Sequence, residues 1–146
     1  LFIIALWQAR RDSTLFSLAY LTTAAALVRL AGGETEAALE SARKALDYAD
    51  RSRFRLEQGV AHRVLGQAYA ATDSPAEADA AFRESLGILE DIRSWPEVGQ
   101  TLLAYGSFKL GSNPVEGRTL IERARAMFEE IGATGWVDEA QAALEG

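Results

Sequence analysis

The feature that most narrows the fold of this chain is a repeat: a pair of amphipathic helical stretches that restarts at intervals of about 40 residues. In the clearest copy His62, Leu65, Gly66 and Tyr69 fall at i, i+3, i+4 and i+7. Ala78, Phe82, Ser85, Leu86 and Leu89 follow at i, i+4, i+7, i+8 and i+11. Each set draws a single stripe down one side of a helix, the mark of one buried face. Ala38, Ala42, Ala45, Leu46 and Ala49 take the equivalent places one copy upstream, and Gly117, Ile121, Ala124, Phe128 and Ile131 one copy downstream. Two landmarks agree on the period: the step from Ala38 to Ala78 equals that from Gly66 to Gly106, and the step from Ala78 to Gly117 is shorter by a single position. One helix pair cannot bury its own stripes, so neighbouring pairs must stack. The expected class is all-α.

Local chemistry supports the register. Ser74-Pro75-Ala76-Glu77 and Asn113-Pro114-Val115-Glu116 each read as an N-cap, a proline at the first helical position and a glutamate at the third. Ser94-Trp95-Pro96-Glu97 has the same outline with proline one place later, and Gly32-Gly33 reads as a helix-ending turn. The predicted division of one domain over 1–146 is a remnant helix over 1–12, helix pairs over 14–52, 53–92 and 94–132, and a capping helix over 134–146. In that last helix Trp136, Ala140, Ala143 and Leu144 form the inner stripe, with Asp138, Glu139, Gln141 and Glu145 opposite.

These marks resemble the tetratricopeptide repeat family. Its helix A carries a small residue after Leu, here Leu65-Gly66, and its helix B carries small, bulky, small and apolar positions, here Ala78, Phe82, Ser85 and Leu86. Small residues sit where helix axes approach closely, and the bulky one plugs the gap between pairs. The first copy departs from the pattern, lacking the helix A aromatic and carrying Ala26 at the glycine position; the third has Arg125 where an apolar residue is usual. A period near 40 exceeds the usual length of about 34 and implies helices longer by about a turn. That length, with the ending Ala126-Met127-Phe128-Glu129-Glu130-Ile131-Gly132, is similar to long variants in bacterial signalling proteins, including multidomain regulatory ATPases and cyclase-linked or transcriptional regulators.

The resemblance covers residues 14 to 146. It implies a right-handed α-solenoid of antiparallel helix pairs, about 3.5 repeats plus a C-terminal capping helix, whose A helices line a concave groove for an extended peptide or a partner's helix. On that groove it places Arg63 and Gln67, then Leu103 and Ser107 at the equivalent positions of the third copy, Gln100 and Leu110 along the same wall, and Thr23 and Leu27 from the first copy. One cation, two amides and several apolar positions suggest a ligand with apolar anchors and a carboxylate near Arg63. The set departs from the Lys/Asn-rich clamp with which some family members hold a C-terminal carboxylate.

Composition excludes several alternatives. At 146 residues and 49% hydrophobic, the chain can bury enough surface for one domain without staples. It has no cysteine, hence no disulfide, thiolate metal site or cysteine nucleophile, which fits the cytoplasm. A net charge of −6 argues against nucleic acid. The short run Arg51, Arg53 and Arg55 is flanked by Asp47, Asp50 and Glu57, and no repeated pair of base-reading positions recurs. Phosphate-loop, dinucleotide, nucleophile-elbow and zinc-helix motifs are all missing. The single histidine, His62, cannot form a two-histidine metal site and lies on the inner stripe, where packing is its expected role. Glu129 and Glu130 are adjacent and point about 100° apart on a helix, so they do not pair on one substrate.

Leu1 to Trp7 is apolar but stops at Gln8 and Arg10-Arg11, short of the roughly 20 residues that cross a bilayer, and it lacks the flanks of a signal peptide. It reads as helix B of a truncated upstream repeat. The chain begins with Leu and its one methionine is Met127, so it reads as a piece of a longer protein whose Leu1–Trp7 face could self-associate. The function expected is a noncatalytic interaction or scaffold module, without metal or cofactor, in a larger bacterial regulatory protein. Alternatives are an intramolecular regulator of a sibling catalytic or DNA-binding domain, or a small-molecule sensor with a closed cavity lined by Trp95, Trp136 and Tyr105. An enzyme would instead bring titratable groups together in one pocket.

Overall fold

A computed structural model describes all 146 residues. The stripes close into seven helices and no strand: α1 (Phe2–Ala31), α2 (Thr35–Ser52), α3 (Arg55–Ala71), α4 (Pro75–Asp91), α5 (Trp95–Lys109), α6 (Pro114–Ile131) and α7 (Thr134–Glu145). Turns this short make each helix pack antiparallel on the next. The odd-numbered helices also touch in series, α1 on α3, α3 on α5 and α5 on α7.

Helix ends repeat as regularly as helix faces. Gly33, Asp73, Arg53, Arg93 and Gly132 all take positive φ, between 55° and 77°, just past a helix end. Gly33 to Asp73 and Arg53 to Arg93 are each one full repeat apart. Each reverses the chain in the left-handed conformation that glycine adopts without strain and arginine does not. Prolines stand at the start of α4, α5 and α6, as expected. Only Asn113 caps with its side chain: its Oδ1 accepts from the Glu116 backbone N–H, and its Nδ2 donates to the Glu116 carboxylate, both at 3.2 Å. Ser74 and Ser94 occupy N-cap positions without a side-chain cap bond, a correction to their reading as working caps.

The core runs serially along the array. Ala19, Ala45, Ala49 and Ala61 pack α1, α2 and α3 together; Ala26, Leu39, Val64 and Ala81 reach α4; Leu89, Val98, Leu102, Ile121, Phe128 and Ala140 join α4 to α7. Small residues allow the closest approaches. A Cβ on Gly66 would lie 2.9 Å from the Phe82 ring, and one on Gly117 would lie 2.7 Å from the Leu110 backbone N and 2.8 Å from the Gly106 carbonyl. Buried Ser85 is satisfied: its hydroxyl donates to the Gly59 carbonyl at 2.7 Å and lies 3.1 Å from the Thr101 hydroxyl, linking α4 to α3 and α5.

The N-terminal segment differs from the sequence reading. No separate helix ends near residue 12; α1 runs unbroken for 30 residues through Arg10-Arg11, against 18 for α2. The extra dozen residues overhang by about 18 Å, and no residue before Leu15 is buried. Nothing in Gln8 to Thr14 breaks a helix, since it holds neither Gly nor Pro. The apolar stretch is also longer than Leu1–Trp7 suggested. By length and composition alone α1 could cross a membrane, with a mean hydropathy of 1.5 over 18 residues, 22% of them buried. In this fold its buried stripe, Leu15, Ala19, Thr23 and Ala26, is spent on α2 and α3.

Candidate groove formed by alternate helices

On one side of the array, α1, α3, α5 and α7 present the same i, i+3, i+7 triad. The sets are Tyr20, Thr23 and Leu27; Val60, Arg63 and Gln67; Gln100, Leu103 and Ser107; and Trp136, Glu139 and Ala143. This spacing aligns side chains along one face of each helix. Together they enclose two adjoining cavities. One, of about 460 Å³, holds Leu27, Arg63, Gln67, Gln100, Leu103 and Ser107 with the α7 triad. The other, of about 380 Å³, holds the α1 triad with Leu56, Glu57, Val60, Arg63 and Glu97. Leu27 and Arg63 belong to both and mark where the two cavities meet.

Seven of the eight residues named from sequence therefore line one groove, Thr23 on its α1–α3 part. Leu110 does not. Helix α5 ends at Lys109, so Leu110 leaves the α5 face and packs on the core beside Gly117. Trp136 stacks on Phe128 with ring centroids 5.7 Å apart and is 36% exposed toward the groove. Glu139, placed on the outer side by the sequence reading, is a wall of the groove.

Arg63 is not a free cation. Its side chain is 10% exposed, and its Nη1 donates to Glu97 Oε2 at 2.6 Å and to the Glu97 carbonyl at 3.3 Å, bridging α3 to α5. Glu57 is buried nearby; burial first, and the charge of Glu97 second, push its carboxyl above the usual range. Two polar atoms of the groove have no hydrogen-bond partner, the buried Thr23 hydroxyl and Gln67 Oε1. Sequence reasoning missed Glu57 and Glu97, although they stand one full repeat apart and so recur at one position. That recurrence is the signal that could have found them. It is masked because a glutamate in the first turn of a helix already has a local reason to be there, the helix dipole.

No family model, characterised protein or solved structure matches the chain.

Other expected features lie elsewhere. His62, with Leu65, Tyr69, Glu77 and Glu84, lines a cavity on the opposite face of α3, and burial holds its imidazole below the usual range against the nearby Glu84 and Asp50 charges. Tyr105 is buried against Phe82 at 5.2 Å and donates to Asp79, which also accepts from Lys109 at 2.8 Å. Burial opposes the charge of Asp79, but these hydrogen bonds and the Lys109 and Arg83 charges bring its carboxyl below the usual range. That cluster ties α4 to α5. Of Trp95, Trp136 and Tyr105, only Trp136 lines either groove cavity. Arg51 pairs with Asp47 and Arg55 with Asp91, while Arg53 occupies a left-handed turn.

Proposed function

We propose that the chain is a noncatalytic, tetratricopeptide-like interaction module: a right-handed superhelix of about 3.5 helix pairs whose groove receives an extended segment of a protein partner. Its setting, on this reading, is a larger cytoplasmic regulatory protein of bacterial type. The observation that carries the proposal is the side-by-side recurrence of one i, i+3, i+7 triad on α1, α3, α5 and α7. Such a surface is long, mixed in polarity and continuous, and it suits a chain with several side chains to place rather than one small molecule.

The test is to pan a random dodecapeptide display library against the folded chain and to compare each binder on Ser107→Trp. Ser107 is exposed in the groove, so a tryptophan there fills space without breaking the Arg63–Glu97 pair. Ala80→Trp, on the opposite cavity, is the control. Binders lost on Ser107→Trp and kept on Ala80→Trp support the proposal. A panel with no binder sensitive to Ser107→Trp refutes it.

A further inference from the structure

Resting on the reading of this groove as a peptide site, we infer that its α1–α3 part selects a basic side chain. The partner then presents an extended segment with a lysine or arginine beside apolar residues. The charge balance carries the first half of the argument. The charged residues lining the two cavities are Glu57, Glu97, Glu139 and one cation, Arg63. Glu97 cancels Arg63 at 2.6 Å, so the guanidinium neither recruits a carboxylate nor repels a cation strongly. Glu57 and Glu139 remain uncompensated. Glu57 is 7% exposed and makes no ion pair, and the penalty on its charge comes from burial and from Glu97. A cation seated beside Glu57, in the cavity it shares with the Arg63–Glu97 pair, offsets that penalty.

The second half is independent of charge. Thr23 is 6% exposed, lines the same cavity as Glu57 and Glu97, and has a hydroxyl without a partner. Elsewhere on α1 the hydroxyls of Thr14, Ser17 and Thr22 each donate to the carbonyl four residues back. Thr23 does not use that route. A buried hydroxyl left unpaired is costly, and its oxygen, closed to solvent as it stands, gains a partner when rotation about χ1 turns it toward an ammonium or guanidinium whose charge Glu57 meets. Beyond Arg63, Gln67 Oε1 is another acceptor without a partner, and Leu27, Leu103 and Trp136 offer apolar contact to flanking residues.

The experiment uses peptides from the library that depend on Ser107. The expected result is a lysine or arginine at one fixed position in them. Affinity measured by fluorescence polarisation should fall at least about tenfold on Glu57→Gln. It should fall similarly when norleucine replaces the peptide's lysine, with no further loss when both changes are combined. Groove-dependent peptides that lack a basic residue, or that bind Glu57→Gln unchanged, overturn this inference and leave the peptide-site reading intact. If no peptide depends on Ser107, both fall together.

Discussion

Replacing Gly117 with alanine probes a contact where α5 and α6 meet backbone to backbone. An added Cβ would lie 2.7 Å from the Leu110 N, 2.8 Å from the Gly106 carbonyl and 3.0 Å from the Leu110 Cα. None of these atoms belongs to a side chain that can change rotamer, so α6 itself must move. Overpacking of this kind costs about 1–3 kcal/mol, and rigid neighbours favour the upper part of that range. Against it stands the gain of about 0.5–1 kcal/mol that alanine brings to a helix interior. The net loss is about 1–2 kcal/mol, or a fall in Tm of about 3–6 °C for a domain of this size. Gly87 is the internal control: it is exposed, nothing lies within 4 Å of its added Cβ, and Gly87→Ala should raise Tm. Gly66→Ala falls between them, because its contact at 2.9 Å is with the Phe82 ring, a side chain that can tilt. Thermal melts followed by far-UV circular dichroism give the order. A Gly117→Ala protein as stable as the parent, or more so, refutes backbone contact between α5 and α6.

Arg93 sits at φ 57°, so Arg93→Gly should stabilise by about 1 kcal/mol, read as a higher urea midpoint; a lower midpoint would contradict the left-handed turn. Glu57 has a carboxyl raised above its unfolded value near 4.5, so the folded state holds that proton more tightly than the unfolded one. Its contribution is fully present below pH 4.5 and lost as pH rises through the folded value, so Glu57→Gln should raise Tm at pH 7 and lose that advantage near pH 4. An advantage that does not change with pH would exclude burial of the charge as its cause. The overhang of α1 exposes Phe2, Ile3, Ile4, Leu6 and Trp7, all more than half accessible. Light scattering should show a mass that rises with concentration and returns to monomer in an Ile4→Glu, Trp7→Glu variant; a constant monomer mass rules out association through this face.

Periodicity reveals helices because it depends on backbone geometry alone. A 3.6-residue turn converts Ala78, Phe82, Ser85 and Leu89 into one stripe wherever the helix packs, and all four are buried. Gly33 is legible as a chain reversal for the same local reason, and the Asn113 cap needs only the four residues that form it. Arg53 and Arg93 are not legible, because nothing in an arginine announces a positive φ that the surrounding packing imposes, whereas Asp73 stands one repeat after Gly33 and is of a type that visits the left-handed region. Helix α1 shows the limit from the other side: the charges of Arg10 and Arg11 read as an end, yet a solvated helix carries them without a break.

The groove divides along the same line. Helical spacing places Arg63 with Gln67 and Leu103 with Ser107 on shared faces, since each pair lies on one helix. Whether Arg63 is free or engaged depends on Glu97, far along the chain and on another helix. Whether Glu139 faces water or the groove depends on the angle at which α7 docks on α6 and α5. Residues near in sequence share a face by local geometry, but the charge a ligand meets is summed over side chains that only packing brings within a few ångströms of each other.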